Sequence, residues 1–570
     1  MNAKLLLEQF DRLSEAPDAI PRLRQFILDL AVQGKLVKQD RRDETATSFL
    51  ERLAAERNRL VKARLIRDST ALEGRHDEDE YFSAPASWAW CRLSDVGAVI
   101  GGGTPPSKDA KNFSISGSGI PWLTPADLGS HKGLYVSRGA RDLTEQGLSL
   151  SSATLMPKGT VLFTSRAPIG YVAIASNEIS TNQGFKSVVP FVPECGRYIA
   201  LFFQAFAERI DAKAPGTTFR EVSGKIVANL AFPLPPLAEQ HRIVAKVDEL
   251  MALCDRLEAA QSERERRRDR LVAASLHRLN TATDPDAFGA AVRFHICHHP
   301  RLITREEHLQ SVRQTVLELA VTGRLVPQSS DRIPESTQSY QPAARECDEI
   351  VSHSAPEELI SSDDLQVPSS WAWKSIDDLV AKMDSGWSPQ CEATPRGASS
   401  TWGVLKTTAV QRLAFSDKEN KALPNKLRAR PQYEARVGDV LVTRAGPKQR
   451  VGVCCVIDKV ESRLMISDKI IRLRVLPIVD SAFIAIALNA GRSRWALEQA
   501  KSGMAVMQMN ISQAKLREVP IPVPPLEEQH RIVARVGEII AACDHLESQI
   551  VAIQTRLRNA LNGVLSAATR

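Results

Sequence analysis

The chain has 570 residues, of which 43% are hydrophobic and 25% charged, with a formal net charge of +7. That length excludes a single hydrophobic core, the composition is that of a soluble globular protein, and no apolar run is long enough to span a membrane. Nine cysteines, an odd number without a CxxC pair, fit free thiols in a reducing cytoplasm better than a disulfide framework.

The first stretch, MNAKLLLEQFDRLSEAPD, is charged and helical in pattern, unlike a secretory leader. It opens an N-terminal helical region, 1–83. Ile27, Leu28, Leu30 and Ala31 line one helix, which Gly34 ends as a C-terminal breaker. Thr47 is expected to cap a second helix, in which Phe49, Leu50, Leu53, Leu60, Val61 and Leu65 alternate with Arg and Lys. A Trp88-Ala-Trp90 signature then introduces a module of different texture, 84–236. Its short β-rich runs, GTVLFTS (159–165), GYVAIAS (170–176) and KSVVPFV (186–192), are punctuated by Gly, Pro, Asn and Ser.

Phe232 to Leu257 reads FPLPPLAEQHRIVAKVDELMALCDRL. Prolines ahead of a helix and an acid in its first turn are start signals, so a long helix is expected to open a helical region over 237–330. Its apolar seam runs through Val247, Leu250, Cys254 and Leu257, turns polar at Gln261, Arg264 and Arg268, and is expected to recover at Leu271. The run ERERRRDR (263–270) reads as a solvated helix face. HICHHP (295–300) offers four possible metal ligands but no second group at zinc-site spacing, and is expected to form a polar loop between helices.

The chain then repeats itself. ILDLAVQGKLVKQ (27–39) returns as VLELAVTGRLVPQ (316–328), and FPLPPLAEQHRIV returns as IPVPPLEEQHRIV from residue 521, both at an offset of 289. Trp371-Ala-Trp373 echoes the first tryptophan pair. An acidic linker (331–367) leads into a second module (368–525) and a C-terminal long helix (526–570). In that helix positions 536, 539, 543, 546, 550, 553, 557, 560 and 564 form a coiled-coil seam. About 40 residues at ~1.5 Å each make a rod on the order of 60 Å. Within the modules the copies keep a skeleton and lose detail: GTVLFTSRAPIG faces GDVLVTRAGPKQRVG, and TNQGFKSVVP faces ISDKIIRLRV.

Charge is unevenly placed. Residues 368–525 hold 24 Lys+Arg against 14 Asp+Glu, residues 84–236 hold 14 against 10, and residues 331–366 hold nine acids and two bases. Basic modules beside an acidic connector point to a polyanion partner of the nucleic-acid kind. The expected class is α+β: two globular mixed α/β modules joined by two long antiparallel coiled-coil helices, in a pseudo-twofold internal repeat. Such an object would hold two readers apart by a fixed distance, as half-site recognition requires.

At this point the chain resembles the specificity (S) subunit of a type I restriction–modification system. The resemblance covers essentially all 570 residues and rests on PLPPLAEQHRIV and PVPPLEEQHRIV, with GGGTPPSK (101–108) and TNQGFKSVVP (181–190) in the first module. The second module departs from it: MDSGWSPQ (383–390) lacks the Thr-Pro pair and no TNQG is present. The resemblance implies that each module reads one half of a split, asymmetric double-stranded DNA site. The helices would space the halves and dock two methyltransferase (M) subunits, which supply S-adenosylmethionine-dependent adenine methylation. Restriction (R) subunits would add ATP- and Mg-dependent cleavage.

The chain's own residues carry no sign of that chemistry. There is no GxxxxGK[ST] loop, no glycine-rich turn entering a helix, and no Asp/Asn-Pro-Pro-aromatic tetrapeptide. A non-catalytic subunit without a cofactor or metal of its own is therefore expected. Base edges are read by Arg, Lys, Asn, Gln, Ser and Thr, and phosphates by Lys and Arg. The candidates in the first module are Thr104, Lys108, Ser165, Arg166, Asn182, Gln183, Lys186, Thr217, Thr218 and Arg220. Those in the second are Thr443, Arg444, Lys448, Lys469, Gln508 and Asn510. Ile243, Val247, Leu250 and Leu257, with Ile532, Val536, Ile539 and Leu546, are the candidates for the helix and M-subunit interface. Trp88, Trp90, Trp371 and Trp373 are expected to be core anchors.

Overall fold

The computed structural model describes residue 16, residues 18–63, residue 66, and residues 81–215, 220–328, 367–503 and 506–569. Thr217, Thr218, Leu65 and most of the acidic linker lie outside these. The chain divides into two compact units: residues 1–264 with 554–570, and residues 265–553. Each unit therefore holds the start of one long helix and the end of the other.

In the first unit, helix Ala19–Val32 is terminated as its sequence dictates. Gly34 takes φ of +70°, and the Lys35 N–H donates back to the Leu30 carbonyl at 3.0 Å. The second unit repeats this at the end of helix Glu306–Val321, with Gly323 at +69° and Arg324 donating to Leu319 at 2.9 Å. The next helix, Ala46–Lys62, starts earlier than expected. Its cap is Thr45, whose side chain accepts from the Ser48 N–H; Thr47 sits inside the helix.

Each module is closed by pairing its first strand with its last. Ala89–Arg92 runs antiparallel to Ala231–Leu234, and Ala372–Ser375 to Pro520–Val523. The tryptophan signature is thus paired with the proline-rich lead-in, and two-stranded pairing tolerates prolines that a central strand would not. Beyond this pair both modules share one strand order. In the first it is Gly97–Gly101, Lys186–Pro190, Val161–Ser165, Ile169–Ala175, with Tyr135–Val136 added at the edge. In the second it is Val380–Ser385, Ile470–Val475, Val440–Thr443, Cys454–Val456. The runs GTVLFTS, GYVAIAS and KSVVPFV each contribute a strand to the first sheet. Helix Gly196–Ala212 covers the first sheet with Phe202, Phe203 and Phe206, and Phe163 stacks on Phe203 at 4.4 Å between ring centres. Helices Ser481–Leu488 and Gly491–Gln499 do the same in the second.

The long helices are Leu237–Thr281 and Leu526–Thr569. Glu239 and Gln240 point inward and His241 outward, as helical periodicity requires. The buried Gln240 amide donates to the Pro235 carbonyl at 3.0 Å, and Gln529 to Pro524 at 2.8 Å. Glu239 accepts from the Trp88 indole at 3.0 Å, and Glu528 from the Trp371 indole at 3.1 Å. The repeated Trp and Glu-Gln motifs are therefore two ends of one internal bond; Trp88, Trp90 and Trp371 are core residues, and Trp373 is half-buried.

The seams differ from expectation in their middle. Leu271 is 53% exposed, and the first helix instead buries Val272, Leu276 and Leu279, one position on in the heptad. These pack with Cys543, Ile539, Leu546 and Ile550 of the second helix. Ile553 is also exposed, and Leu561 replaces Ala560 as the buried residue. A straight helix of 3.6 residues per turn drifts off a 3.5-residue repeat, so a strict seam is held over this length only where the helices supercoil. HICHHP is a second correction. It lies within helix Pro285–Leu302 and not in a loop, with His295 Nδ1 3.0 Å from the Ser275 hydroxyl. Among the described residues no group of three or more acidic, His or Cys side chains could hold a metal.

Candidate nucleic-acid interface

In the first module two loops lie flush against each other. A Cβ on Gly102 would stand 2.0 Å from the Asn182 carbonyl oxygen, so only glycine permits the approach. The Gly103 N–H donates to the Thr181 carbonyl at 2.9 Å, and the Trp122 indole to the Gly103 carbonyl at 3.1 Å. Across the top of this contact the Thr104 hydroxyl donates to the Gln183 side-chain carbonyl. Thr104, Lys108 and Gln183 are exposed, while Asn182 is half-buried, with its side-chain oxygen accepting from the Gly184 N–H at 2.9 Å.

Behind the clasp lies a charged group. The Lys186 ammonium sits 3.1 Å from Glu221, 3.3 Å from the Gln183 carbonyl and 3.4 Å from the Ser165 hydroxyl. Arg166 is 3.6 Å from the same Glu221 carboxylate. Two cations thus share one anion at the rim of the glycine loop. Ser165 itself is fully buried and donates to the Gly184 carbonyl, so it positions the loop and does not reach the surface. Arg220 is exposed and tied to Asp211 at 3.0 Å.

Strand register shows which residues of the second module correspond. Lys186 pairs with Gly101, and Ile471 pairs with Ser385. Val188 pairs with Val161, and Leu473 with Val440. Gly386 therefore stands where Gly102 does, and a Cβ on it would meet the Ile466 carbonyl oxygen at 1.8 Å. The glycine loop is thus present in the second module without the Thr-Pro pair. Its clasp is Ser388, whose hydroxyl donates to the Asp468 carboxylate, in the places of Thr104 and Gln183.

The same register moves two candidates. Thr443 corresponds to Thr164 and is fully buried, its hydroxyl accepting from the Val453 N–H at 2.9 Å. It is a structural residue. Arg444 stands where Ser165 does: Arg444 N–H donates to the Lys469 carbonyl at 2.8 Å, as Ser165 N–H donates to Gly184 at 2.8 Å. It is half-buried and makes no side-chain hydrogen bond or ion pair among the described residues. Lys448, Lys469, Gln508 and Asn510 are exposed on neighbouring loops, with Asn510 accepting from the Ser502 hydroxyl at 3.1 Å. Ser388, Asp468 and Glu221 were missed by the sequence reading. Counting back from the aligned strands, three residues from Lys186 and three from Ile471, would have found Asp468.

The helix candidates separate by burial. Ile243, Val247, Ile532 and Val536 are buried in the cores of their own units, and Leu250, Leu257, Ile539 and Leu546 are half-buried against them or against the helix pair. The four buried side chains are not available to another subunit. Of the polar seam residues, Arg268 pairs with Glu265 and donates to the Arg301 carbonyl at 3.0 Å.

With this geometry in view, comparison with known proteins gives a consistent picture. The sequence pattern of the type I restriction modification DNA specificity domain matches residues 85–265 and 420–554. The chain is 34% identical over 553 residues to the EcoEI type I restriction enzyme specificity subunit of Escherichia coli, covering 94% of this chain and 91% of the relative. It is 38% identical over 173 residues to the MjaIX specificity subunit of Methanocaldococcus jannaschii, covering 30% of this chain and 39% of that one. A chain from a solved structure of a type I R-M system, described in terms of complex assembly and conformational transition, shares the fold. Its TM-score is 0.50 at 19% identity, covering 86% of this chain and 99% of that one.

Proposed function

Since this chain belongs to the type I restriction modification DNA specificity family, we propose that each of its modules reads one half of a bipartite, asymmetric double-stranded DNA site. The observation that carries this reading is the pair of matched loop clasps. One backbone framework presents Thr104 and Gln183 beside Arg166 and Lys186 in the first module, and Ser388 and Asp468 beside Arg444 and Lys469 in the second. A framework kept while its exposed polar side chains change is what two readers of different sequences need, because base edges differ in donors and acceptors while phosphates do not.

In this reading the long helices set the spacing between the half-sites and dock two methyltransferase subunits. Exposed apolar residues such as Leu253, Leu271 and Ile553 are better placed for docking than the buried Ile243 and Ile532. S-adenosylmethionine, ATP and Mg then belong to the methyltransferase and restriction partners, and this chain contributes recognition without a catalytic group. Such a complex acts on DNA in the cytoplasm. Among the described residues no helix is long and apolar enough to cross a membrane.

Methylome sequencing of cells co-expressing the chain with its methyltransferase partner tests the proposal. The expected motif is two short defined blocks separated by a fixed unspecified spacer. A contiguous motif, or no motif dependent on this chain, contradicts it.

A further inference from the structure

The two clasps differ in one chemical respect. Gln183 offers both a donor and an acceptor, whereas Asp468 offers acceptors alone. Asp468 is exposed, one of its oxygens is taken by the Ser388 hydroxyl, and the Ser388 oxygen in turn accepts from the Asp468 N–H at 3.2 Å. The second carboxylate oxygen has no partner among the described residues. This carboxylate sits beside the exposed Lys469 on a module with 24 Lys+Arg against 14 Asp+Glu.

A carboxylate on such a face is repelled by phosphates, so the DNA backbone cannot be its target. Of the base edges in the major groove, guanine N7 and O6 and thymine O4 are acceptors and repel it as well. Adenine offers an amino donor, but its N7 acceptor lies alongside. Cytosine offers its N4 amino group without that neighbour. We infer that Asp468, held in place by Ser388, reads a cytosine in the half-site of the second module. This rests on the reading of the chain as a DNA specificity subunit and adds to it one residue and one base.

The test uses the full chain in complex with its methyltransferase partner. The wild-type methylome supplies the motif. Duplexes carrying it, with each base pair of both half-sites changed singly, then compete for binding to wild type, Asp468→Asn and Ser388→Ala. Wild type is expected to discriminate roughly 10- to 100-fold against replacement of one cytosine, a good polar base contact in size. Asp468→Asn should lose that discrimination at that position alone, and Ser388→Ala should weaken it. Unchanged discrimination, or an equal loss at every position, overturns the assignment and makes Asp468 a loop fastener only. Should Asp468→Asn fail to fold, wild-type protein is tested on duplexes whose candidate cytosines are replaced one at a time by a pyrimidinone lacking the 4-amino group. One such replacement should cost a similar factor, and no loss at any of them overturns the inference. A wild-type chain that directs no motif would instead refute the family-based reading itself.

Discussion

The bond between Trp88 and Glu239 shows how one side chain can carry two sequence motifs. Burial pushes the Glu239 carboxyl above the usual carboxylate range, and hydrogen bonds from Trp88 and Gln39 oppose that shift. Trp88→Phe removes the indole donor and leaves a buried carboxylate short of a partner. It should cost roughly 2 kcal/mol, read by thermal or denaturant unfolding. Glu239→Gln acts with the opposite sign. A carboxyl whose folded pKa is raised costs stability once it ionises, and that cost is absent when it is protonated in both states. The variant should therefore be more stable than wild type near neutral pH, and the gain should shrink as pH falls from the raised folded value and vanish below the ordinary glutamate value. A gain that grows on acidification would contradict the burial account. The pairing was only half legible in the sequence. The repeated tryptophans read as core anchors from their matched positions, but nothing in a linear offset says that residue 88 meets residue 239. Ser165 and Thr443 failed as surface candidates for a related reason. A hydroxyl ending a buried strand looks the same in sequence whether the next residue turns it outward or a neighbouring loop covers it.

Among the elements, the strands and the starts of the two long helices were readable because their signals are local, alternating apolar runs and proline lead-ins, as was the helix stop marked by a glycine at +70°. The loops were not. MDSGWSPQ lost its resemblance to GGGTPPSK and yet keeps the flush glycine contact, because the geometry needs one glycine and not the flanking residues. The second sheet also carries a buried ion group. Arg472, with no exposed surface, donates to Asp384 at 2.9 and 2.6 Å and lies 3.5 Å from Asp439, which also holds Arg474 at 2.7 Å. The group straddles the strands that carry both clasp loops. Arg472→Leu leaves two carboxylates without their central cation and should destabilise the second unit by roughly 3–5 kcal/mol, measured by unfolding. In the helices, Ile243→Asp or Ile532→Asp places a charge in a module core. Each should cost more than about 4 kcal/mol and remove soluble protein altogether. Leu271→Glu changes an exposed position, so the chain should fold normally while co-purification of the methyltransferase subunit falls. Full co-purification would place docking elsewhere.

For the molecule as a whole, duplication was plain from the constant offset between copies, and the two compact units each contain one module and parts of both long helices. What the sequence could not say was which loop residues correspond, since strand register and not linear spacing defines equivalence. That register puts Arg444 in the place of Ser165 and Asp468 in the place of Gln183, so charge is redistributed on a common frame. The central claim is that the two modules read separate halves of one site. It is tested most directly by methylome sequencing after co-expression of the methyltransferase partner with wild type, Arg166→Ala or Arg444→Ala. Each variant should relax or weaken one defined block of the motif, by the ~1–3 kcal/mol of a good base contact, and the two should affect different blocks. Both variants altering the same block, or neither altering any, would contradict the account.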